Sequence, residues 1–180
     1  METELQLLNA IRSGEKEAKR RLYERFVGLA AAIVQRYIPQ HDEVRDVLQD
    51  SFVKILTSLD RFQYRQEGSL KAWVATIVTH EAIQHLRAHE RNFVSSSICD
   101  VPIDEEPDVG RVPPEVLNKL LGQLPVGYRI VLNLYVFEQM SHNEIAQLLG
   151  IKPNSSASQY SRAKNALAKL INNYLKNNTL

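Results

Sequence analysis

Five polar side chains recur at helical spacing near the C-terminus: Ser155, Ser158, Gln159, Arg162 and Asn165. Short hydroxyls, carboxamides and a guanidinium are the groups that bond to base edges in the major groove of DNA. A merely solvated helix face has the same make-up, so both readings stand on composition alone. A second stretch, "HEAIQH" from His80 to His85, looks superficially like the zinc-hydrolase pattern H-E-x-x-H. Its second His falls one residue late, and on a helix the two imidazoles diverge by about 140°. Glu81, His85 and His89 do share a face, but they span about 12 Å at 1.5 Å per residue, so one metal could take two of them at most. With no metal set, Gly-rich phosphate loop, nucleophile elbow or buried carboxylate pair, the chain is expected to be neither an enzyme nor a cofactor carrier.

The elements that must position these residues are helical, since no stretch alternates convincingly like a strand. Thr3 to Arg12 can form a first helix, ending at Ser13-Gly14. A second runs from about Glu15 to Tyr37, with Ala18, Leu22, Phe26, Leu29, Ile33 and Tyr37 on one face, and stops before Pro39. A third begins after His41-Asp42 and buries Val44, Val47, Leu48, Phe52, Ile55 and Leu59. Ser69 is an expected N-cap for a fourth, whose Leu70, Trp73, Ile77 and Leu86 face inward. Glu115 to Gln123 and Pro125 to Glu138 predict two more.

After these, "SHNEIAQLLG" opens on the capping-box spacing Ser141-x-x-Glu144 and closes on Gly150, the residue best able to turn left-handed after a helix. Pro153 suits the first turn of the helix that follows. Projected at about 100° per residue, that last helix puts Tyr160, Ala163, Leu167, Leu170, Ile171 and Tyr174 on one side, with Ala157 at the edge. Ser155, Ser158, Gln159, Arg162, Asn165 and Lys169 fall on the other. Two helices joined by a tight turn form a helix-turn-helix, a unit used both to read DNA and as plain structure.

The net charge of +1 over 180 residues conceals an asymmetry. Residues 1–93 carry 14 basic against 13 acidic side chains, residues 94–114 carry 1 against 5, and residues 115–180 carry 7 against 3. The middle stretch also holds four prolines and has no period, which makes it a linker. The expectation is therefore an all-α protein of two small helical domains, 1–93 and 115–180, joined by the acidic linker 94–114. A basic second domain suggests a polyanionic partner. The lone Cys99 excludes an internal disulfide, and no apolar run approaches a membrane span. A cytoplasmic location is expected.

Leu124 to Leu167 resembles the promoter −35 reading domain of bacterial extracytoplasmic-function (ECF) sigma factors. The matching residues are Leu124-Pro125, Val131-Leu132, Ser141 with Glu144-Ile145-Ala146, Leu149-Gly150-Ile151, and Arg162-Ala163-Lys164. Response-regulator output domains use a similar unit, and the N-terminal half decides between them. "VRDVLQDSFVKIL", Val44 to Leu56, is similar to the family's polymerase-binding segment through Asp46, Gln49, Asp50 and Phe52. Leu59 to Arg91 is similar to its −10 segment through Phe62, Ser69-Leu70-Lys71-x-Trp73 and Leu86-Arg87.

The resemblance implies an alternative sigma factor that binds core RNA polymerase and directs initiation at promoter DNA. It places polymerase contacts at Asp46, Gln49, Asp50 and Val53. It places −10 contacts at Arg61, Phe62, Tyr64, Arg65, Lys71, Thr79 and His80, where aromatic surfaces and cations suit unstacked bases and phosphates. It places −35 contacts at Lys152, Ser155, Ser158, Gln159, Arg162, Lys164, Asn165 and Lys169, the lysines positioning the helix on phosphates. It also implies an anti-sigma partner, often membrane-bound, and a linker that threads through polymerase. The chain departs from the family at His80, where many relatives have Asn, and at Ala157 and Gln159, where relatives often have basic residues. An ordinary helix-turn-helix regulator with a ligand-sensing or dimerising first domain is the competing expectation. A helical interaction module without DNA contact fits the basic second half poorly.

Overall fold

The computed structural model describes residues 2–89 and 107–178, with the side chain of His89 excepted. Cys99 and residues 94–106 of the expected linker lie outside them. The described residues form eight α-helices and no strand, and the chain divides into two compact units, Met1–His85 and Leu86–Leu180.

The first unit contains α1 (Glu4–Arg12), α2 (Ala18–Tyr37), α3 (His41–Ser58) and most of α4 (Ser69–His89), which runs across the division. α1 begins on a capping box: Thr3 accepts from the Gln6 amide and the Gln6 side chain accepts from the Thr3 amide. α1 packs along α2, and α2 along α3. The apolar stripe of α2 is buried at Ala18, Leu22, Phe26, Ile33 and Tyr37, joined by Ala30 and Val34, while Leu29 is half-buried. In α3 the buried set is Val44, Val47, Phe52 and Ile55 with Ser51, whose hydroxyl donates to the Val47 carbonyl at 2.6 Å. Leu48, expected inside, is half-buried.

The second unit contains α5 (Pro114–Gly122), α6 (Val126–Val136), α7 (His142–Leu149) and α8 (Pro153–Asn177). α8 packs against α5, α6 and α7 and is its spine. Leu121, Leu124, Tyr128, Leu132 and Ala163 form one cluster, and Val112, Leu120 and Ile171 another. Val109–Arg111 make one 3-10 turn, so the C-terminal end of the expected linker leads straight into this core through Val112. Arg129, 4% exposed, donates to the carbonyls of Gly122 and Leu124 at 2.7 and 3.4 Å, tying α6 to the end of α5. A buried cation is tolerable where carbonyl dipoles face it.

The helix-turn-helix forms as the spacing predicts. Ser141 and Glu144 complete the capping box, and their hydrogen bonds hold the Glu144 carboxyl below its ordinary range. Gly150 takes φ 67° and ψ 33°, a left-handed conformation in which a side chain would be strained.

Candidate nucleic-acid interface

Three surfaces hold the residues singled out above. On α3, Asp46, Gln49, Asp50 and Val53 are all exposed, Val53 to 56%. Next to them the Tyr23 ring of α2, also exposed, packs on Phe52 with centroids 4.6 Å apart. Burying the Val44/Val47/Phe52/Ile55 stripe turns the acidic and amide side chains outward, because they occupy the opposite side of the same helix.

The second surface is the segment between α3 and α4. Leu59–Arg61 form a 3-10 turn, Phe62 leaves it with extended backbone, and a turn before α4 holds Gly68 left-handed at φ 91°. Arg61, Arg65 and Lys71 are exposed and Tyr64 is half-buried. The Tyr64 hydroxyl donates to Glu67 at 3.4 Å; desolvation and then that carboxylate raise the phenol above its ordinary value, keeping it a neutral donor. Phe62 departs from expectation. It is 7% exposed and packs on Trp73, with ring centroids 5.0 Å apart.

Thr79 is likewise inside, at 3% exposure. The sequence reading centred the apolar stripe of α4 on Trp73 and Ile77, which are only half-buried. The packed stripe is Leu70, Val74, Val78, Ala82 and Leu86, a set recurring every four residues that turns Thr79 and Ile83 inward with it. His80 sits half-buried at the edge of this stripe. Burial, and then the charge of Lys54, lower its pKa, against a smaller opposing pull from Glu81. Lys54 pairs with Glu81 at 2.5 Å, and His85 Nε2 lies 2.8 Å from Glu43 Oε2. Glu81 and His85 are thus engaged in two separate pairs, each joining α4 to α3.

The third surface is α8. Its inward side is buried at Ala163, Ala168 and Ile171, with Tyr160, Leu167, Leu170 and Tyr174 half-buried. Lys152, Ser158 and Lys164 are exposed, and Ser155, Gln159, Arg162, Asn165 and Lys169 are half-buried. Ala157, expected at the apolar edge, is exposed. Ser156 is fully buried and hydrogen-bonded to His142 Nδ1 at 3.0 Å, and His142 stacks on Tyr135 with centroids 4.7 Å apart. Tyr160 packs on Tyr135 at 4.3 Å. This latch ties the start of α7 to the first turn of α8. It was not read from the sequence, where a lone His and a Ser fourteen residues apart give no sign of meeting.

Comparison with known proteins agrees with this geometry. The family model for Sigma-70 region 2 matches residues 22–92, and that for Sigma-70 region 4 matches residues 115–167. The chain belongs to the sigma-70 family, as an ECF sigma factor. It is 27% identical to the ECF RNA polymerase sigma-E factor of Salmonella typhimurium, across 92% of each chain. Among solved structures, it is similar to the sigma factor RpoE of Bartonella quintana, solved with the anti-sigma factor NepR. That match has a TM-score of 0.55 and 22% identity over 87% of this chain and 98% of the other. It is also similar to CnrH, solved with the cytosolic domain of CnrY, at TM-score 0.51 and 27% identity over 93% and 96% of the two chains. The region 2 match takes in α2 to α4, and the region 4 match takes in α5 to the middle of α8. The α3 and loop residues described above lie within the region 2 match, and those of α8 from 152 to 165 lie within the region 4 match.

Proposed function

We propose that this sigma factor docks on core RNA polymerase through α3, captures the non-template −10 strand on the segment after α3, and reads the −35 duplex with α8. The N-terminal domain, residues 1–93, would do the first two and the C-terminal domain, residues 115–180, the third, with the acidic stretch 94–114 joining them. The observation that carries the reading is α8. Its first turns hold the hydroxyl, amide and guanidinium groups of Ser155, Ser158, Gln159 and Arg162 clear of the buried stripe, on the second helix of a helix-turn-helix. Lys152, Lys164 and Lys169 flank them as phosphate contacts. On α3, exposed Val53 and Tyr23 beside Asp46, Gln49 and Asp50 give the mixed apolar and polar face that suits a protein partner. Arg61, Tyr64, Arg65, Lys71 and His80 form the strand-facing set, with Phe62 and Thr79 acting beneath them.

In this reading the protein works by binding and positioning, with no catalytic side chain of its own, in the cytoplasm; among the described residues no helix is long and apolar enough to cross a membrane. An anti-sigma partner fits as well, since one solved relative is bound to an anti-sigma factor and another to a cytosolic domain. Run-off transcription with core polymerase on a promoter library tests the whole proposal. Sequence-specific initiation above the core-only background is expected, and its absence with no anti-sigma factor present refutes it. Gln159→Ala should then relax preference at one or two −35 positions; an equal loss on every sequence would mean that Gln159 touches backbone and not bases.

A further inference from the structure

The residue before α4 is Gly68, which has no side chain with which to cap the helix. Ser69 is already helical, and its hydroxyl donates to the Gln66 carbonyl at 2.6 Å. The amides that it leaves are taken by Glu4, a carboxylate from the far end of the unit and only 2% exposed. Glu4 accepts from the backbone N–H of Gly68 at 2.9 Å, Leu70 at 2.9 Å and Lys71 at 3.0 Å. The arrangement is reciprocal. The Glu4 backbone N–H, in the first turn of α1, donates to both carboxylate oxygens of Glu67 at 3.2 and 3.1 Å. Each helix start is thus closed by a carboxylate from the other segment. A negative charge at a helix N-terminus satisfies orphan donors and opposes the positive end of the dipole.

Two more bonds reach the same segment from α1 and α2. Arg12 donates to the Phe62 carbonyl at 2.9 Å, and Arg25 to Glu67 at 3.2 Å. The stretch from Phe62 to Lys71 is therefore fastened at both ends from outside, while Tyr64 and Arg65 lie between. We propose that Glu4 is a positioning residue for −10 strand capture: its carboxylate holds the Phe62–Lys71 segment in the conformation that binds the strand. This rests on the reading of that segment as the −10 surface. The physical gain is preorganisation. A segment that samples other conformations binds more weakly in proportion to the time that it spends in them.

The test uses the full chain assembled with core polymerase, and a fluorescent non-template oligonucleotide from a promoter that the wild-type holoenzyme initiates. Glu4→Ala should weaken oligonucleotide binding about tenfold, the weight of one charge-assisted hydrogen bond. Glu4→Gln, which keeps one acceptor oxygen, should fall between it and wild type. Core-polymerase affinity and −35 duplex preference should stay within about twofold of wild type, below the weight of a single hydrogen bond. Trp73 is the only tryptophan and packs on Phe62, so its emission in the purified chain should shift to longer wavelength in Glu4→Ala as that contact loosens. Parallel loss of core binding, −35 preference and oligonucleotide binding in both variants overturns the proposal, because it shows general destabilisation. Arg65→Ala/Lys71→Ala separates the underlying reading from the inference. If that double variant weakens strand binding and neither Glu4 variant does, the positioning role fails; if the double variant itself has no effect, the −10 reading of the segment fails and the positioning role with it.

Discussion

His80 joins burial to charge in a way that pH can read. Its imidazole is half-buried, and desolvation followed by the nearby Lys54 lowers its pKa from the ordinary 6.5. The folded state therefore resists the proton that the unfolded chain accepts. The stability from keeping His80 neutral is present above pH 6.5 and is lost as the pH falls through the lowered folded value. The unfolding temperature of the first unit should fall as the pH is lowered below 6.5, and His80→Gln should flatten that fall. If the wild-type and variant curves stay parallel, another group titrates.

At the scale of the element, the turn between α7 and α8 depends on one backbone conformation. A Cβ on Gly150 would meet nothing within 4 Å, so the cost of Gly150→Ala is the left-handed φ alone. That cost is about 1–2 kcal/mol for a residue with a side chain. Chemical denaturation of the full chain should show a loss of this size in the second unit, with DNA preference kept where the fold persists. A much larger loss would mean that the helix-turn-helix cannot relax around the turn. The capping box at Ser141 closes the other end of α7, and the His142–Ser156 hydrogen bond joins α7 to α8 away from the turn, which is why a turn defect alone is not expected to unfold them.

For the whole molecule, charge is unevenly distributed along the chain. The first 93 residues are nearly neutral and the last 66 carry an excess of four positive charges, yet in the proposed reading only Lys152, just before α8, and Lys164 and Lys169 on it flank the base-facing groups. Each phosphate contact adds about −0.9 to the slope of log affinity against log salt. The purified chain alone should therefore bind −35 duplex weakly, with a slope of about −3 if those three lysines supply the contacts. A slope twice as steep would reveal a wider phosphate surface than α8 offers. Tight duplex binding without polymerase would favour a self-sufficient regulator, the competing expectation.

Much of this was legible in the residues. Periodicity placed each helix to within a few residues, because an amphipathic helix writes its buried stripe into one stretch of chain. Ser141-x-x-Glu144, Gly150 and Pro153 marked the helix-turn-helix because caps and turns are made by neighbours. The α3 and α8 surfaces followed from which side must be buried. α4 is harder to read: apolar residues are scattered around it among charged and polar ones, so its sequence does not single out the stripe Leu70, Val74, Val78, Ala82 and Leu86 that packs, nor the burial of Phe62 and Thr79. The cap of α4 was beyond reach, since Ser69 looked sufficient and Glu4 lies 65 residues earlier. The meeting of His142 with Ser156 was equally hidden. Local hydrogen bonds and periodic burial are properties of short segments, and a sequence states them directly. Which distant carboxylate closes which helix depends on how the helices pack, and only the folded chain decides that.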